Sequence, residues 1–147
     1  MVEVRDPDMD VVYRMIDKMG KEVKSSYHYP GIGKDIYDLV VRLKPDVCLE
    51  FGALHGYSAA CISLGLGYNC KGYLTSYDLW EDYEFAGSTE LIAQTTLDIY
   101  GDNERAHFKK MNLYDWLESP TQFDLMHIDV SNDGDTIAKV YEACKDQ

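Results

Sequence analysis

The residues with the most evident chemical capacity in this chain stand where apolar runs end. Three carboxylates and one amide hold this position: Glu50, Asp78, Asn112 and Asp129. Short apolar runs are typical of strands buried on both faces of a parallel sheet. Ligands of open parallel sheets bind at the edge where the carboxyl ends of the strands meet. We therefore expect the four side chains to surround one binding site.

The apolar runs, and the helical patterns between them, predict the elements that position this site. Four strands are predicted over residues 46–51, 72–77, 106–111 and 123–128. Apolar residues at helical spacing predict helices over 7–20 or 7–24, 36–43, 58–66 and 88–101, a short helix at 114–117 and a last helix through 137–141. Ser88 stands where the N-cap of the fourth helix is expected. This alternation indicates one α/β domain with a mainly parallel sheet.

Two glycines separate the first strand from the helix that follows it. Gly52 and Gly56 permit a tight turn close to a ligand, and the helix beginning near Ser58 offers unpaired N–H groups. An adenosine-containing cofactor fits such a turn. The spacing is G-x-x-x-G, not the G-x-G-x-x-G of dinucleotide-binding proteins, and Glu50 would repel a pyrophosphate. A cofactor with an ammonium or sulfonium charge suits this carboxylate, and the alternative is a solvated acid at an ordinary turn.

The second predicted strand ends at Asp78, where a carboxylate can accept hydrogen bonds from both hydroxyls of a ribose. Leu79 and Trp80 follow it directly and could pack on the face of an adenine. The alternative for Asp78 is a surface acid in an acidic stretch with Glu81 and Asp82.

Charge and composition exclude several other functions. The 14 basic and 26 acidic side chains give a formal net charge of -12 at pH 7, the wrong sign for binding nucleic acid or an anionic membrane surface. No apolar run approaches the ~20 residues of a membrane-spanning helix, and the first residues do not resemble a signal peptide. We expect a cytoplasmic protein without a nucleic-acid or membrane partner.

Four segments of the chain carry motif-like patterns in order: LEFGALHGYS, YLTSYDLW, FKKMNLYDWL and FDLMHIDVSNDGDT. Together they resemble the class I S-adenosylmethionine-dependent methyltransferases, in the small-molecule O-methyltransferase-like branch. The first segment resembles the motif E-x-G-x-x-x-G-x-S, and the others resemble the second, third and fourth strands with their terminal polar residues. The resemblance covers residues 31–144 and implies a three-layer, Rossmann-like fold with a sheet order near 3-2-1-4.

The resemblance implies a role for each matching position. Glu50 and the turn 52–56 would hold the methionine end of S-adenosylmethionine. Asp78 would bind the ribose and Asn112 the adenine edge, while Asp129 would lie near the methyl group. The full set of implied cofactor-binding residues is Glu50, Gly52, Ala53, His55, Gly56, Ser58, Asp78, Leu79, Trp80, Asn112, Leu113 and Asp129. A turn residue that caps the short helix is an equal alternative for Asn112.

The catalytic residues and any metal ligand are left open. Asp129 and His127 are the candidates for proton transfer, because residues two apart on a strand share one face. A core histidine with a backbone partner is the alternative for His127. Some members of the family use the matching aspartate as a ligand of a divalent cation, so Asp129 is also the metal candidate.

The resemblance also predicts how the chain is organised. Residues 1–147 are expected to form a single S-adenosylmethionine-binding domain, with a helix and a candidate lid loop within 1–33. The aromatic stretch 27–29 would cover a bound ligand or pack between helices. The sheet of the family continues past the last helix seen here, so we expect a chain without those C-terminal strands. It would be a fragment, or a minimal form whose fourth strand is exposed or pairs in a homo-oligomer.

The predicted function is methyl transfer from S-adenosylmethionine to an oxygen or nitrogen atom of a small-molecule acceptor. The displacement depends mainly on holding donor and acceptor in line. A catalytically silent cofactor-binding or structural domain is the alternative, because strands that help to build the acceptor site are missing. A nucleotide-binding oxidoreductase ranks lower, given Glu50 and the missing third glycine.

Overall fold

The computed structural model describes residues 7–84, 87–130 and 133–147, which form four β-strands, six α-helices and one 3₁₀ turn. The strands are β1 (Val47–Phe51), β2 (Tyr73–Asp78), β3 (Ala106–Lys110) and β4 (Leu125–Ile128). The helices are α1 (Pro7–Glu22), α2 (Ile32–Leu43), α3 (Tyr57–Tyr68), α4 (Glu90–Tyr100), α5 (Leu113–Glu118) and α6 (Gly134–Cys144), and the 3₁₀ turn is Trp80–Asp82. None of these described helices is long and apolar enough to cross a membrane.

The four strands form one parallel sheet with the order β3-β2-β1-β4. Strand β1 lies at its centre, with Val47 opposite Tyr73 of β2 and Cys48 opposite Leu125 of β4. This order confirms the predicted α/β fold and its strand order. The chain moves from β1 to β2 and β3 on one side and returns to β4 on the other. The switch point is therefore between β1 and β4, where ligands bind in sheets of this kind.

Alternate side chains of β1 face two different helical layers. Cys48 belongs to a buried cluster with apolar residues of α2, α3 and α4, whereas Leu49 and Phe51 pack with residues of α5 and α6 on the opposite face. A third cluster joins α1 to α2 and α3. Every residue from 57 to 63 is buried, because α3 lies between the sheet and the two N-terminal helices.

The predicted N-cap of α4 is wrong by one residue. The helix begins at Glu90, so the capping position falls on Thr89. The Thr89 hydroxyl accepts a hydrogen bond from the N–H of Ile92 at 3.2 Å, as an N-cap does. Ser88 does not cap the helix, so its hydroxyl does not make the predicted hydrogen bond.

The fourth strand begins two residues later than predicted. Asp124, which precedes β4, turns its carboxylate toward the start of β1. Its Oδ2 accepts hydrogen bonds from the N–H groups of Val47 and Asp46 at 2.9 and 2.8 Å. These bonds hold the pKa of the Asp124 carboxyl below its usual range. The contact fixes where β4 meets β1.

The turn after β1 depends on a glycine. Gly52 has a φ of +96°, and a Cβ at this position would collide with the backbone carbonyl of Asp129. The N–H of Asp129 donates to the carbonyl of Phe51 at 2.8 Å. The loops that follow β1 and β4 therefore approach each other with no room for a side chain at position 52.

Replacing Gly52 by alanine tests this close approach. A residue with a Cβ is strained at this φ and would push against the Asp129 backbone, so we expect the free energy of unfolding to fall by about 1–3 kcal/mol. Gly134→Ala is the matched control, because a Cβ at Gly134 meets no atom within 4 Å. Urea unfolding of the two variants measures the difference. A Gly52→Ala variant as stable as wild type would show that the loops after β1 and β4 can move apart without loss of stability.

Candidate functional site

A cavity of about 480 Å³ lies at the carboxyl ends of the strands. Its lining includes a residue from the end of each strand or the loop that follows it: Gly52, Asp78, Asn112 and Asp129. Three of the four polar residues that end apolar runs in the sequence therefore meet around one space. The fourth, Glu50, is not among the lining residues.

The predicted cofactor-binding residues divide into two sets. The set that lines the cavity is Gly52, Asp78, Leu79, Trp80, Asn112, Leu113 and Asp129. The set outside the described lining is Glu50, Ala53, His55, Gly56 and Ser58. Members of the second set lie in β1, in the turn after it and at the start of α3. Contact with a cofactor stays a prediction for both sets.

Several lining residues were not predicted from the sequence. They include Ser26, Tyr83, Ser88, Tyr114 and Thr136. Leu54, which also lines the cavity, lies inside the predicted turn 52–56. Tyr114 is a chain neighbour of the predicted Leu113, so extending that motif by one position finds it. Thr136 is buried at the start of α6, within 3.0 Å of the Tyr114 hydroxyl. No local pattern marks Ser26, because only the folded chain brings its loop to the end of β4.

Asp78 ties the loop after β1 to the loop after β2. Its Oδ2 accepts from the N–H of Leu54 at 2.8 Å, and its Oδ1 accepts from the N–H groups of Leu79 and Trp80 at 2.7 and 3.1 Å. Leu54 and Trp80 hold positive φ values of 48° and 41°, a strained conformation that tends to occur at functional sites. A carboxylate has about four acceptor positions. One position on Oδ2 therefore remains for a ligand hydroxyl.

Trp80 is largely part of the core. Its side chain is 2% exposed and packs edge-on against Phe108, with ring centroids 5.6 Å apart. The indole N–H donates to the carbonyl of Leu54 at 2.9 Å. Little of the ring is left for the predicted packing on an adenine, whereas Leu79 is half-buried at the cavity wall.

Asn112 caps α5, as the alternative prediction for this residue proposed. Its side-chain oxygen accepts from the N–H of Tyr114 at 2.9 Å. The capping role does not compete with ligand binding, because it uses the amide oxygen and leaves the amide nitrogen as a donor. The predicted contact with an adenine edge therefore stays a prediction, and the nitrogen is the atom that would make it.

Glu50 is fully buried on the sheet face that carries α3. Ser58 of α3 and Ser76 of β2 donate their hydroxyls to its carboxylate at 2.5 and 2.6 Å. The third partner is His127 of β4, whose Nδ1 lies 2.9 Å from Oε2. A buried carboxylate requires such donors. In this structure the Glu50 carboxylate therefore points into the protein interior, where these three side chains surround it.

His127 lies between Glu50 and Tyr27. Its Nε2 is 3.0 Å from the Tyr27 hydroxyl, so both ring nitrogens have side-chain partners and the predicted backbone partner is wrong. Burial favours the neutral ring, but the hydrogen bond and charge of Glu50, with the charge of Asp129, outweigh it and raise the pKa of His127. Burial, with the charges of Asp129 and Glu50, raises the pKa of Tyr27, which stays protonated.

The loop between α1 and α2 meets Asp129 at the end of β4. The Ser26 hydroxyl donates to Oδ2 of Asp129 at 3.2 Å, and Ser26 lines the cavity. The contact brings the candidate lid loop to the site, although its movement stays a prediction. Within 7–84, 87–130 and 133–147 no group of three or more His, Cys, Asp or Glu side chains is arranged to hold a metal ion. Metal binding by Asp129 therefore gains no support.

The raised pKa of His127 predicts a pH-dependent contribution to stability. A histidine whose pKa is higher in the folded state stabilises the fold fully below its unfolded pKa of about 6.5, and this contribution is lost as pH rises through the folded pKa. We expect the unfolding free energies of wild type and His127→Gln to differ more at about pH 5.5 than at about pH 8.5, in urea titrations. His28→Gln, at an exposed position between α1 and α2, is the control. If the unfolding free energies of wild type and His127→Gln differ by the same amount at both pH values, the pairing of His127 with Glu50 is contradicted.

A family model described as "Methyltransferase domain" matches residues 49–147. The matched region holds most of β1, all of β2 to β4, and the loops that line the cavity at their ends. No curated protein sequence gives a match to the chain.

Solved methyltransferase structures share the fold. The O-methyltransferase from Bacillus cereus in complex with SAH has a TM-score of 0.63 and 20% identity, covering 98% of this chain and 64% of that chain. TomG, an O-methyltransferase from Streptomyces achromogenes in complex with SAM, has a TM-score of 0.64 and 16% identity, with coverages of 99% and 62%. The SAM-dependent O-methyltransferase from Thermotoga maritima has a TM-score of 0.65 and 21% identity, with coverages of 89% and 46%. The chain thus spans less than two thirds of the length of these structures.

These comparisons agree with the strand order and with the four sequence segments that resemble class I S-adenosylmethionine-dependent methyltransferases. The family match covers about two thirds of the chain and includes all four of those segments in full. The first segment, LEFGALHGYS, begins at the first matched residue. The chain therefore belongs to the methyltransferase domain family.

Proposed function

We propose that the chain binds S-adenosylmethionine in the cavity at the strand ends and transfers its methyl group to an oxygen or nitrogen atom of a small-molecule acceptor. The observation that carries this proposal is the meeting of Asp78, Asn112 and Asp129 around one cavity, next to the Gly52 turn. Family membership supports it, as do the SAH and SAM present in two of the structural neighbours.

The size and charge of the cavity suit this cofactor. A volume of about 480 Å³ falls within the ~300–1,000 Å³ usual for small-molecule sites. Asp78 and Asp129 bring two carboxylates to the lining, and none of the described lining residues is Lys or Arg. Such a lining attracts the ammonium and sulfonium charges of S-adenosylmethionine and disfavours the pyrophosphate of a dinucleotide. The charge therefore supports a methyl donor over a nicotinamide cofactor.

The order of the strands suggests how the cofactor lies. The remaining acceptor position of Asp78 suits a ribose hydroxyl, and the amide nitrogen of Asn112 and the side chain of Leu113 suit the adenine on the β3 side. Asp129 lies against the Gly52 turn on the β4 side, so its carboxylate suits the methionine ammonium. The Ser26 hydroxyl, which now donates to Asp129, would yield to that ammonium.

The residues of this chain contribute positioning to the reaction. When bound, S-adenosylmethionine supplies a methyl group activated by its sulfonium charge. In-line displacement then requires the acceptor atom to be held close to that methyl group, which is how orientation lowers the barrier. His127 is held by Glu50 and Tyr27 and is not among the described lining residues. We therefore assign no base to the chain, and the binding residues carry the proposal.

Calorimetric titration with S-adenosylmethionine and S-adenosylhomocysteine tests the proposed site. Asp78→Asn removes one charged acceptor, and a hydrogen bond to a charged group contributes about 1.5–3 kcal/mol, so we expect the affinity to fall at least about tenfold. Asp115→Asn, at an exposed carboxylate on α5, is the matched control. Circular dichroism checks the fold, because Asp78 also holds backbone N–H groups. A folded wild-type chain that binds neither compound would end the proposal.

A cofactor-binding domain without transfer activity is the second candidate. Two observations favour it: the candidate base His127 is engaged by side chains, and the chain spans less than two thirds of its structural neighbours. Radiolabelled methyl transfer to a panel of phenols, catechols and amines separates the two functions. Saturable cofactor binding with no labelled product would select the silent domain, and a labelled product lost in Asp78→Asn would select the enzyme.

A further inference from the structure

Ser88 places a buried hydroxyl in the wall of the cavity. The residue is 8% exposed, it lines the cavity, and its Oγ has no hydrogen-bond partner among residues 7–84, 87–130 and 133–147. The role that the sequence predicts for it, capping α4, belongs to Thr89. Among the residues that the structure describes, none uses the Ser88 hydroxyl.

An unused buried hydroxyl is unfavourable for the free protein. Burial removes the hydroxyl from water, and without a partner nothing offsets the lost hydration. Most buried polar side chains have a partner, so an exception in a cavity wall points to a ligand that supplies one. Alanine at position 88 would be more stable in the absence of such a ligand.

The position of Ser88 indicates which part of a ligand it would meet. Ser88 lies in the connection that follows β2, the strand that ends at Asp78. Its neighbour Gly87 lies near Leu54, and a Cβ at Gly87 would be 3.9 Å from Leu54 Cδ1. The N–H of Leu54 donates to Asp78, the residue proposed to bind the ribose. Asp129, proposed for the methionine end, belongs to the segment after β4. Ser88 is thus on the nucleoside side of the cavity.

We propose that the Ser88 hydroxyl hydrogen-bonds the adenosine half of the bound cofactor and helps to select it, an inference that rests on the proposed function. A serine hydroxyl both donates and accepts, so it can pair with a purine nitrogen or with a ribose hydroxyl. Its side chain has three staggered positions, and a change between them redirects Oγ without moving the backbone. The bond would replace the partner that the free protein lacks.

The test compares Ser88→Ala with wild type in two measurements. Calorimetry uses S-adenosylhomocysteine and 5′-methylthioadenosine, which keeps the nucleoside half and lacks the amino acid. Loss of one hydrogen bond is expected to weaken both ligands by the same factor, about three- to tenfold. The melting temperature of the ligand-free chain is expected to rise by about 2–4 °C, because an unpaired buried hydroxyl is removed. Ser119→Ala, at an exposed serine, is expected to change neither quantity.

Each opposite result overturns the inference. Unchanged affinities would show that the hydroxyl makes no contact with the ligand, and a lower melting temperature would show that it is already used in the free chain. Weakening of S-adenosylhomocysteine alone would place the contact outside the nucleoside half.

Ser88→Cys, similar in size and a weak donor, gives the same readout if the alanine variant does not fold. Binding of neither ligand by folded wild type would defeat the proposed function as well, whereas binding lost in Asp78→Asn but kept in Ser88→Ala would defeat this inference alone.

Discussion

A carboxylate with no exposed surface must be surrounded by donors, and this requirement organises the centre of the molecule. Glu50 stands on the central strand, and its partners come from three other elements: Ser58 of α3, Ser76 of β2 and His127 of β4. Removing any one of them would leave a buried acceptor position unsatisfied, which is unfavourable. The hydrogen bonds of Glu50 link β1 to β2, β4 and α3. They therefore also fix the positions at which the loops around the cavity begin.

On the other side of these loops, Asp78 joins the connections that follow β1 and β2. Leu54 and Trp80 adopt positive φ values where only glycine is unstrained, and both are held there by the Asp78 carboxylate and by the indole bond to the Leu54 carbonyl. The strain is thus balanced by hydrogen bonds that exist before any ligand arrives. A cavity prepared in this way loses less freedom when it binds, which is the physical advantage of preorganisation.

Features that depend on local sequence were predictable, and features that depend on distant contacts were not. The strands, their order and the meeting of Asp78 with Asp129 follow from apolar runs and from the resemblance to a family. The inward direction of Glu50 could not be predicted, because it depends on a histidine 77 positions away. The difference between Ser88 and Thr89 as the cap is one residue, within the error of any helix boundary read from a pattern. Tyr27 contacts His127, which is 100 positions away in the sequence, and no local motif predicts a contact between residues so far apart.

The separation of Glu50 from His127 has a consequence for how the chain is made. Translation proceeds at about 5–20 residues per second, so β4 emerges about 4–15 s after β1 across their 77 positions. Once β2 has also emerged, and until β4 follows, the central strand can have a neighbour on one edge only, and the Glu50 carboxylate can have two serine hydroxyls without the histidine. The middle of the sheet is therefore completed last. Until β4 pairs with it, this edge of β1 is uncovered and can pair with a wrong partner, as any unpaired strand edge can.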